Sequence, residues 1–384
     1  GRPLRDYPER EPAEPWAGRT RELLSRVPER ALVAESEAAF GRWLAAALGV
    51  DGLTLGTSGA PPFNGASNDT LVVQASWSGG DVPGEVARSG GFVIRRPPVG
   101  ASLYQHYDLT AQYATMAALV DTDVPVPPLI GFEADPSVLG SPFYVMGEVA
   151  GQAPPDLPPY TEVGWLLPLS VGEQQRLYEA SIEMLARVHR LDASALPLSH
   201  LPGGPDGGGL SAQLASVESW YRWAVTGVAN PVLDAALAWL LAQQPAASPE
   251  GLNWGDARIG NMMYRDLTPV AVLDWEMAAI GPAEVDLGWW LFLNRFHSEG
   301  MGNPALPGFP DDATTVGMWE AAAGRAARDV HYYQVLAGFR FGIIVLRAAR
   351  RMVDAGQLAP EQSYERVNGA TLILADLLGL PTPV

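Results

Sequence analysis

Apolar residues recur at two different periods along this chain, and the period changes near its middle. Before about residue 150 the apolar runs are short. Leu53 and Leu55 alternate with polar neighbours, and Thr70-Leu71-Val72-Val73, Gly91-Phe92-Val93-Ile94-Arg95 and Pro142-Phe143-Tyr144-Val145-Met146 read as strands. Turn-rich stretches at Asn64-Gly65-Ala66-Ser67-Asn68 and 78–84 separate them, so an antiparallel sheet with short hairpins is expected. Helical spacing over 20–48, with Trp43 and Leu44 among the apolar positions, predicts one or two helices ahead of the sheet. A further helix is expected over 107–119, and Pro125, Pro127 and Pro128 follow it as breakers.

From about Glu173 onward the period is that of a helix, as Leu177, Ile182, Leu185 and Val188 illustrate. Two short strands are expected within this half, at Asn261–Tyr264 and Pro269–Leu273. The proline-dense stretch Gly151–Tyr160 reads as a linker or a rigid lid, and residues 1–20 as an extended arm. The chain is therefore expected to be α+β and two-lobed. A β-rich N-terminal lobe with a leading helical arm spans 1–146, a hinge spans 147–151, and a larger helical lobe spans 152–384. A cleft between such units is where ligands bind.

Composition narrows the chemistry. A length of 384 residues with 47% hydrophobic side chains supports two cores. The formal charge of -18 disfavours nucleic acid and anionic membranes as partners and would suit a cationic ligand. Without cysteine there is no disulfide and no thiolate zinc site, and the five histidines show no close metal-binding spacing. The chain starts at Gly1 with a charged, proline-rich stretch, and no apolar run matches a bilayer span, so a cytoplasmic protein is expected.

The most informative segment is Trp254-Gly255-Asp256-Ala257-Arg258-Ile259-Gly260-Asn261, followed by Val270-Ala271-Val272-Leu273-Asp274-Trp275-Glu276. Three of its groups suit phosphoryl transfer: Asp256 can take the proton of an attacking hydroxyl, Asn261 offers Mg²⁺ a neutral oxygen, and Asp274 offers a charged one at the end of an apolar strand. The D-x-x-x-x-N spacing places a base and a metal ligand on one loop. Taken singly, each residue is equally well a turn former or a helix cap; the ordered set in a helical second half is what points to chemistry.

At these residues the sequence resembles the aminoglycoside phosphotransferase superfamily, the phosphotransferase enzyme family, and within it an actinobacterial branch of candidate aminoglycoside phosphotransferases. It is also similar to the kinase-like domains fused to some acyl-CoA dehydrogenases. The likeness runs over roughly 50–350 and includes Gly65-Ala66-Ser67-Asn68, Arg95-Arg96-Pro97-Pro98, Thr122-Asp123-Val124-Pro125, Leu185-Ala186-Arg187-Val188-His189 and Asp286-Leu287-Gly288-Trp289.

The resemblance implies a bilobal protein-kinase-like fold and a phosphotransferase that uses ATP and Mg²⁺ on a hydroxyl of a small molecule. It makes Asp256 the catalytic base, with Asn261 and Asp274 as metal ligands. It places Arg95 on the phosphates and Gln112 as the partner of Arg95. It puts Gly65, Ala66, Ser67 and Asn68 in the loop over the phosphates, and Met146, Glu148 and Val149 in the hinge that holds adenine. Three positions depart from the family pattern: Trp254 stands for His, Arg95 for Lys, and Gln112 for Glu. The last two leave open a nucleotide- or metabolite-binding pseudokinase, and a third reading keeps the kinase but makes the acceptor a hydroxyacyl or lipid-derived alcohol. Arg258 is read either as a phosphate or substrate contact or as a partner of Asp286.

Overall fold

The computed structural model describes residues 34–59, 68–80, 89–98, 102–203, 209–225, 227, 229–246, 249–356, 358–359 and 364–383. The expected N-terminal arm and the loop residues Gly65, Ala66 and Ser67 lie outside this range.

A helix, α1 (Ala34–Leu48), leads into the strands β1 (Val50–Asp51), β2 (Thr54–Gly59), β3 (Asp69–Ser76), β4 (Gly79–Gly80) and β5 (Ser89–Arg96). After α2 (Leu109–Leu119) come β6 (Leu129–Glu133) and β7 (Phe143–Gly147). Five of these strands form one antiparallel sheet in the order β2-β3-β5-β7-β6. The two-residue period of a strand sorts its faces. Leu71, Val73, Phe92, Ile94, Phe143 and Val145 point to one side, where Phe40 and Leu44 of α1 complete a small core. Val93, Tyr144 and Met146 therefore point to the other side and join the core of the helical lobe. The same alternation sends Arg95 towards that lobe.

The helical lobe begins with α3 (Val171–Arg190), whose start is fixed by a reciprocal cap. Ser170 Oγ accepts from the Glu173 amide, and the Ser170 amide donates to Glu173 Oε2 at 2.8 Å. Then follow α4 (Gly209–Ala224), α5 (Pro231–Ala242), α6 (Glu284–His297), α7 (Asp312–Ala323), α8 (Val330–Asp354) and α9 (Gly369–Leu377). Helix α6 is buried along nearly its whole length and packs against α8. At their crossing Gly288 matters: a Cβ there would sit 2.4 Å from the Tyr333 backbone carbon.

Two small antiparallel strand pairs between α5 and α6, one nested inside the other in sequence, carry the loops of interest. Strand β9 (Met262–Arg265) pairs with β10 (Thr268–Val272), and β8 (Glu250–Asn253) pairs with β11 (Ala279–Pro282). The first pair is the one expected from sequence. The second pair, and β6, are additions: Glu-Gly-Leu-Asn and Ala-Ile-Gly-Pro carry little intrinsic β preference and become strands because each supplies the other's ladder. Among the described residues no helix is long and apolar enough to cross a membrane.

Candidate active site

The loop from Trp254 to Asn261 leaves β8 and enters β9, and buried hydrogen bonds hold it at both ends. At the start, the amides of Trp254 and Gly255 donate to the two carboxylate oxygens of Asp286 at 2.7 and 2.9 Å. Asp286 is fully buried in the first turn of α6 and is in turn bonded by His189 Nε2 at 3.0 Å. Trp319 Nε1 donates to His189 Nδ1, so the ring proton lies on Nε2 and faces the carboxylate. Asp286 thus braces the loop; it does not pair with Arg258.

Gly255 has φ +92, and a Cβ on it would lie 1.9 Å from the Met277 carbonyl oxygen. No L side chain fits that backbone or that space. Gly255→Ala is expected to cost at least about 3 kcal/mol, at the upper end of single-site effects, with loss of turnover. Urea unfolding of the variant at unchanged slope checks it.

Three donors fix the Asp256 carboxylate. Trp289 Nε1 reaches Oδ1 at 2.8 Å, while Asn261 Nδ2 and Arg258 Nε reach Oδ2 at 2.7 and 3.0 Å. Asp256 and Asn261 are 8% and 6% exposed, so both are buried but neither is sealed from solvent. Asn261 also donates to the Asp256 carbonyl, which fixes its amide orientation.

Asp274 follows β10 with φ +60. The backbone of the residue before it joins it to the loop: the Leu273 amide donates to the Asn261 carbonyl at 2.8 Å, and the Leu273 carbonyl accepts from Trp254 Nε1 at 2.7 Å. Trp254, one of the three departures from the expected pattern, therefore ties the Asp256 loop to the residue before Asp274. From the sheet, Arg95 Nη2 reaches Asp274 Oδ1 at 2.9 Å. Burial opposes the charge on Arg95, yet Asp274 together with Tyr144, Glu276 and Tyr107 outweighs it and the guanidinium is held firmly protonated. Its Nε is buried without a hydrogen-bond partner. Arg96 points the other way and pairs with Asp69 at 2.7 Å.

The remaining expected residues are distributed as follows. Gln112 is buried, and its Oε1 accepts from Tyr144 at 3.5 Å; the hydrogen bonds of Arg95 go to Asp274 and Thr70 instead. Asn68 spans the cleft, donating to Glu276 Oε2 at 2.7 Å while Tyr107 donates to its carbonyl. Met146 is paired within β7, opposite Val93 and Leu129. The Glu148 amide donates to Gly91, and the Glu148 carboxylate accepts from Gln74. Val149 follows, half-exposed, on the segment joining the lobes.

Sequence reasoning missed four participants. Trp289 is buried in the core, and its N–H bonds to the Asp256 carboxylate; a buried indole needs such a partner, and that was the available signal. Glu276, two residues after Asp274, accepts from Tyr104 as well as Asn68. Burial and then Glu276 push the Tyr104 hydroxyl well above its ordinary pKa. Asp156, on the proline-dense segment, accepts from Arg258 Nη1. Arg258 thus bridges Asp156 and Asp256, and these carboxylates overcome burial to keep it charged. His297 approaches Asp156 at 3.6 Å; burial lowers its pKa and favours the neutral ring.

A five-stranded sheet set over a helical lobe, with this loop between them, is the protein-kinase-like fold in its small-molecule phosphotransferase form. The chain belongs to the phosphotransferase enzyme family, which it matches over residues 61–333. A candidate aminoglycoside phosphotransferase from Ralstonia eutropha JMP134 is similar in structure, with a TM-score of 0.64, 25% identity, and coverage of 88% of this chain and 96% of that one. A ternary complex of aminoglycoside phosphotransferase APH(4)-Ia with ADP and hygromycin B shares the fold at TM-score 0.51 and 15% identity, covering 88% and 98%.

Among curated proteins, acyl-CoA dehydrogenase family member 11 of Homo sapiens is 31% identical over 199 residues, 51% of this chain and 24% of that protein. Family member 10 of Mus musculus is 28% identical over 231 residues, 59% of this chain and 20% of that protein. The chain spans less than a third of the length of these relatives.

Proposed function

We propose that this protein transfers the γ-phosphoryl group of ATP, with Mg²⁺, to a hydroxyl of a small molecule. The observation that carries the reading is the arrangement around Leu273, whose backbone N–H and C=O both bond to the loop of Asp256 and Asn261 and so hold it against Asp274. Asp256 accepts the proton of the acceptor hydroxyl as its oxygen bonds to phosphorus, and the bond to the ADP oxygen breaks. Trp289 and Asn261 hold the carboxylate so that it need not reorganise.

The residues present fit magnesium. An amide oxygen and a carboxylate are hard ligands, and Mg²⁺ takes only one or two protein groups when phosphates supply the rest. Asn261 and Asp274 would hold the ion, which supplies charge neutralisation on the phosphates. The unpartnered Nε of Arg95 is a buried donor suited to a phosphate oxygen.

The test is calorimetric titration with ATP, with and without Mg²⁺, followed by ADP release with a panel of hydroxylated acceptors. Saturable binding strengthened by Mg²⁺ is expected. Silence with both ATP and GTP would sink the reading in favour of a metabolite-binding pseudokinase. A further expectation concerns Asp274→Ala: it removes the Mg²⁺ enhancement, about tenfold or more for a charge-assisted ligand, while metal-free ATP binds at least as well because Arg95 is released. An unchanged Mg²⁺ response in this variant would refute the metal role.

The curated relatives favour a second reading of the acceptor. Their names place them among acyl-CoA dehydrogenases, so a hydroxyacyl or lipid-derived alcohol belongs in the panel beside aminoglycosides.

A further inference from the structure

Helix α8 carries two arginines, Arg340 and Arg347, seven residues apart. Seven residues are close to two turns, so both lie on one face about 10 Å apart along the axis. Arg340 is at the catalytic loop: its Nη2 donates to the Gly255 carbonyl at 3.4 Å, and its guanidinium stands 4.8 Å over the Trp289 ring, whose N–H orients Asp256. Arg347 lies further out, with Nη2 on the Ser102 carbonyl at 3.1 Å and its guanidinium 4.1 Å over Trp223. The segment between them is held to the helical lobe by Trp220, which donates to Leu103 and packs on Tyr104 at 5.3 Å.

Neither guanidinium has an ion pair with a carboxylate among the described residues, although the chain carries a net charge of -18. The carboxylates near Arg340 are committed to other donors: Asp286 to two backbone amides and His189, Asp256 to Trp289, Asn261 and Arg258. A guanidinium offers five N–H donors, and each of these two uses one, on a neutral carbonyl. Arg347 Nε is buried with no hydrogen-bond partner. Burial lowers the pKa of both side chains; Asp286, Tyr104 and Asp256 oppose this at Arg340, while at Arg347 the neighbouring Arg350 adds to it and Asp354 opposes it.

We propose that Arg340 and Arg347 form an anion subsite on the side of Asp256 away from Asn261, so that the phosphorylated molecule carries a phosphate or carboxylate group beside its reactive hydroxyl. This rests on the phosphotransferase reading and narrows its acceptor from hydroxylated molecules in general to anionic ones. It runs against the cationic acceptor that net charge alone favours. Trp223 and Tyr104 would flank the connecting part of the molecule.

The experiment titrates the intact protein, saturated with Mg²⁺ and a non-hydrolysable ATP analogue, with four small alcohols: glycerol 3-phosphate, 3-hydroxybutyrate, glycerol and ethanolamine. The first two distinguish phosphate from carboxylate. Saturable binding of at least one anion, with glycerol and ethanolamine silent, is expected. Arg347→Gln should weaken it roughly tenfold, the loss of one charge-assisted contact, and Arg347→Lys should retain most of it. Silence of both anions, ethanolamine binding as well as either anion, or equal anion affinity in wild type and Arg347→Gln would overturn the subsite. If the nucleotide analogue itself fails to bind, the phosphotransferase reading falls. The titration is then repeated without nucleotide, and the comparison of wild type with Arg347→Gln decides the subsite by itself.

Discussion

Replacing Asp256 by asparagine or alanine is expected to lower turnover by about 10²–10⁴-fold, the usual contribution of a positioned general base, with Mg-ATP affinity close to that of the unchanged protein. The carboxylate is bonded by Trp289, Asn261 and Arg258, and none of these contacts is made by a residue of the sheet. Asparagine is the sharper variant. Its amide oxygen can still accept from Trp289 or Asn261, so the loop keeps its shape while the charge and the proton-accepting capacity go. Alanine, by contrast, leaves the Trp289 indole N–H and the Asn261 amide without their acceptor, at a further cost in stability of about 1–3 kcal/mol per buried donor. Stopped assays of ADP release, with ATP affinity measured separately, distinguish the two. Wild-type turnover in the asparagine variant would remove Asp256 from the mechanism.

The second large effect is structural. Asp286→Ala is expected to destabilise the protein by about 3–5 kcal/mol, the penalty for breaking a buried charged network from one side. Asp286 is fully buried, and it satisfies two consecutive backbone amides, Trp254 and Gly255, as well as His189. All three donors would be left in the core without an acceptor, and the amides are those that set the entry of the catalytic loop. Asp286→Asn should recover only part of the loss, because its single carbonyl can still accept from one amide while its NH₂ cannot accept from the other. Urea unfolding at unchanged slope gives the difference. A change in stability below about 1 kcal/mol, the level of an ordinary surface substitution, would show that the loop is held by something else.

What could be read in the sequence was local. Asp256 and Asn261 lie within one turn of chain, and their hydrogen bond follows from that spacing. Strand alternation allows only one of Arg95 and Arg96 to face the helical lobe, and in the structure it is Arg95, opposite in sense to Phe92 and Ile94. Position on an apolar run marked Asp274. The contacts that escaped join elements far apart in the chain: Trp289 to Asp256, Asp156 to Arg258, Tyr104 to Glu276. No period or propensity reports which distant donor meets a given carboxylate. The strands β8 and β11 were hidden for the same reason, since four residues of weak preference become a strand only when their partner arrives. Glu276 was the most accessible omission. It stands two residues from Asp274 and needed only the question of what a carboxylate beside a metal ligand would bind.

The amide and carbonyl of Leu273 join the loop of Asp256 and Asn261 to Asp274, and neither belongs to a side chain. The coupling is therefore blind to which amino acid occupies the position. Valine, methionine or isoleucine at 273 would transmit it equally well, so variation there among descendants of this gene would leave no trace of the constraint. Proline is the exception, because it has no N–H to offer Asn261. A site wired in this way can drift in its packing and its acceptor preference while the geometry of its chemistry is inherited unchanged.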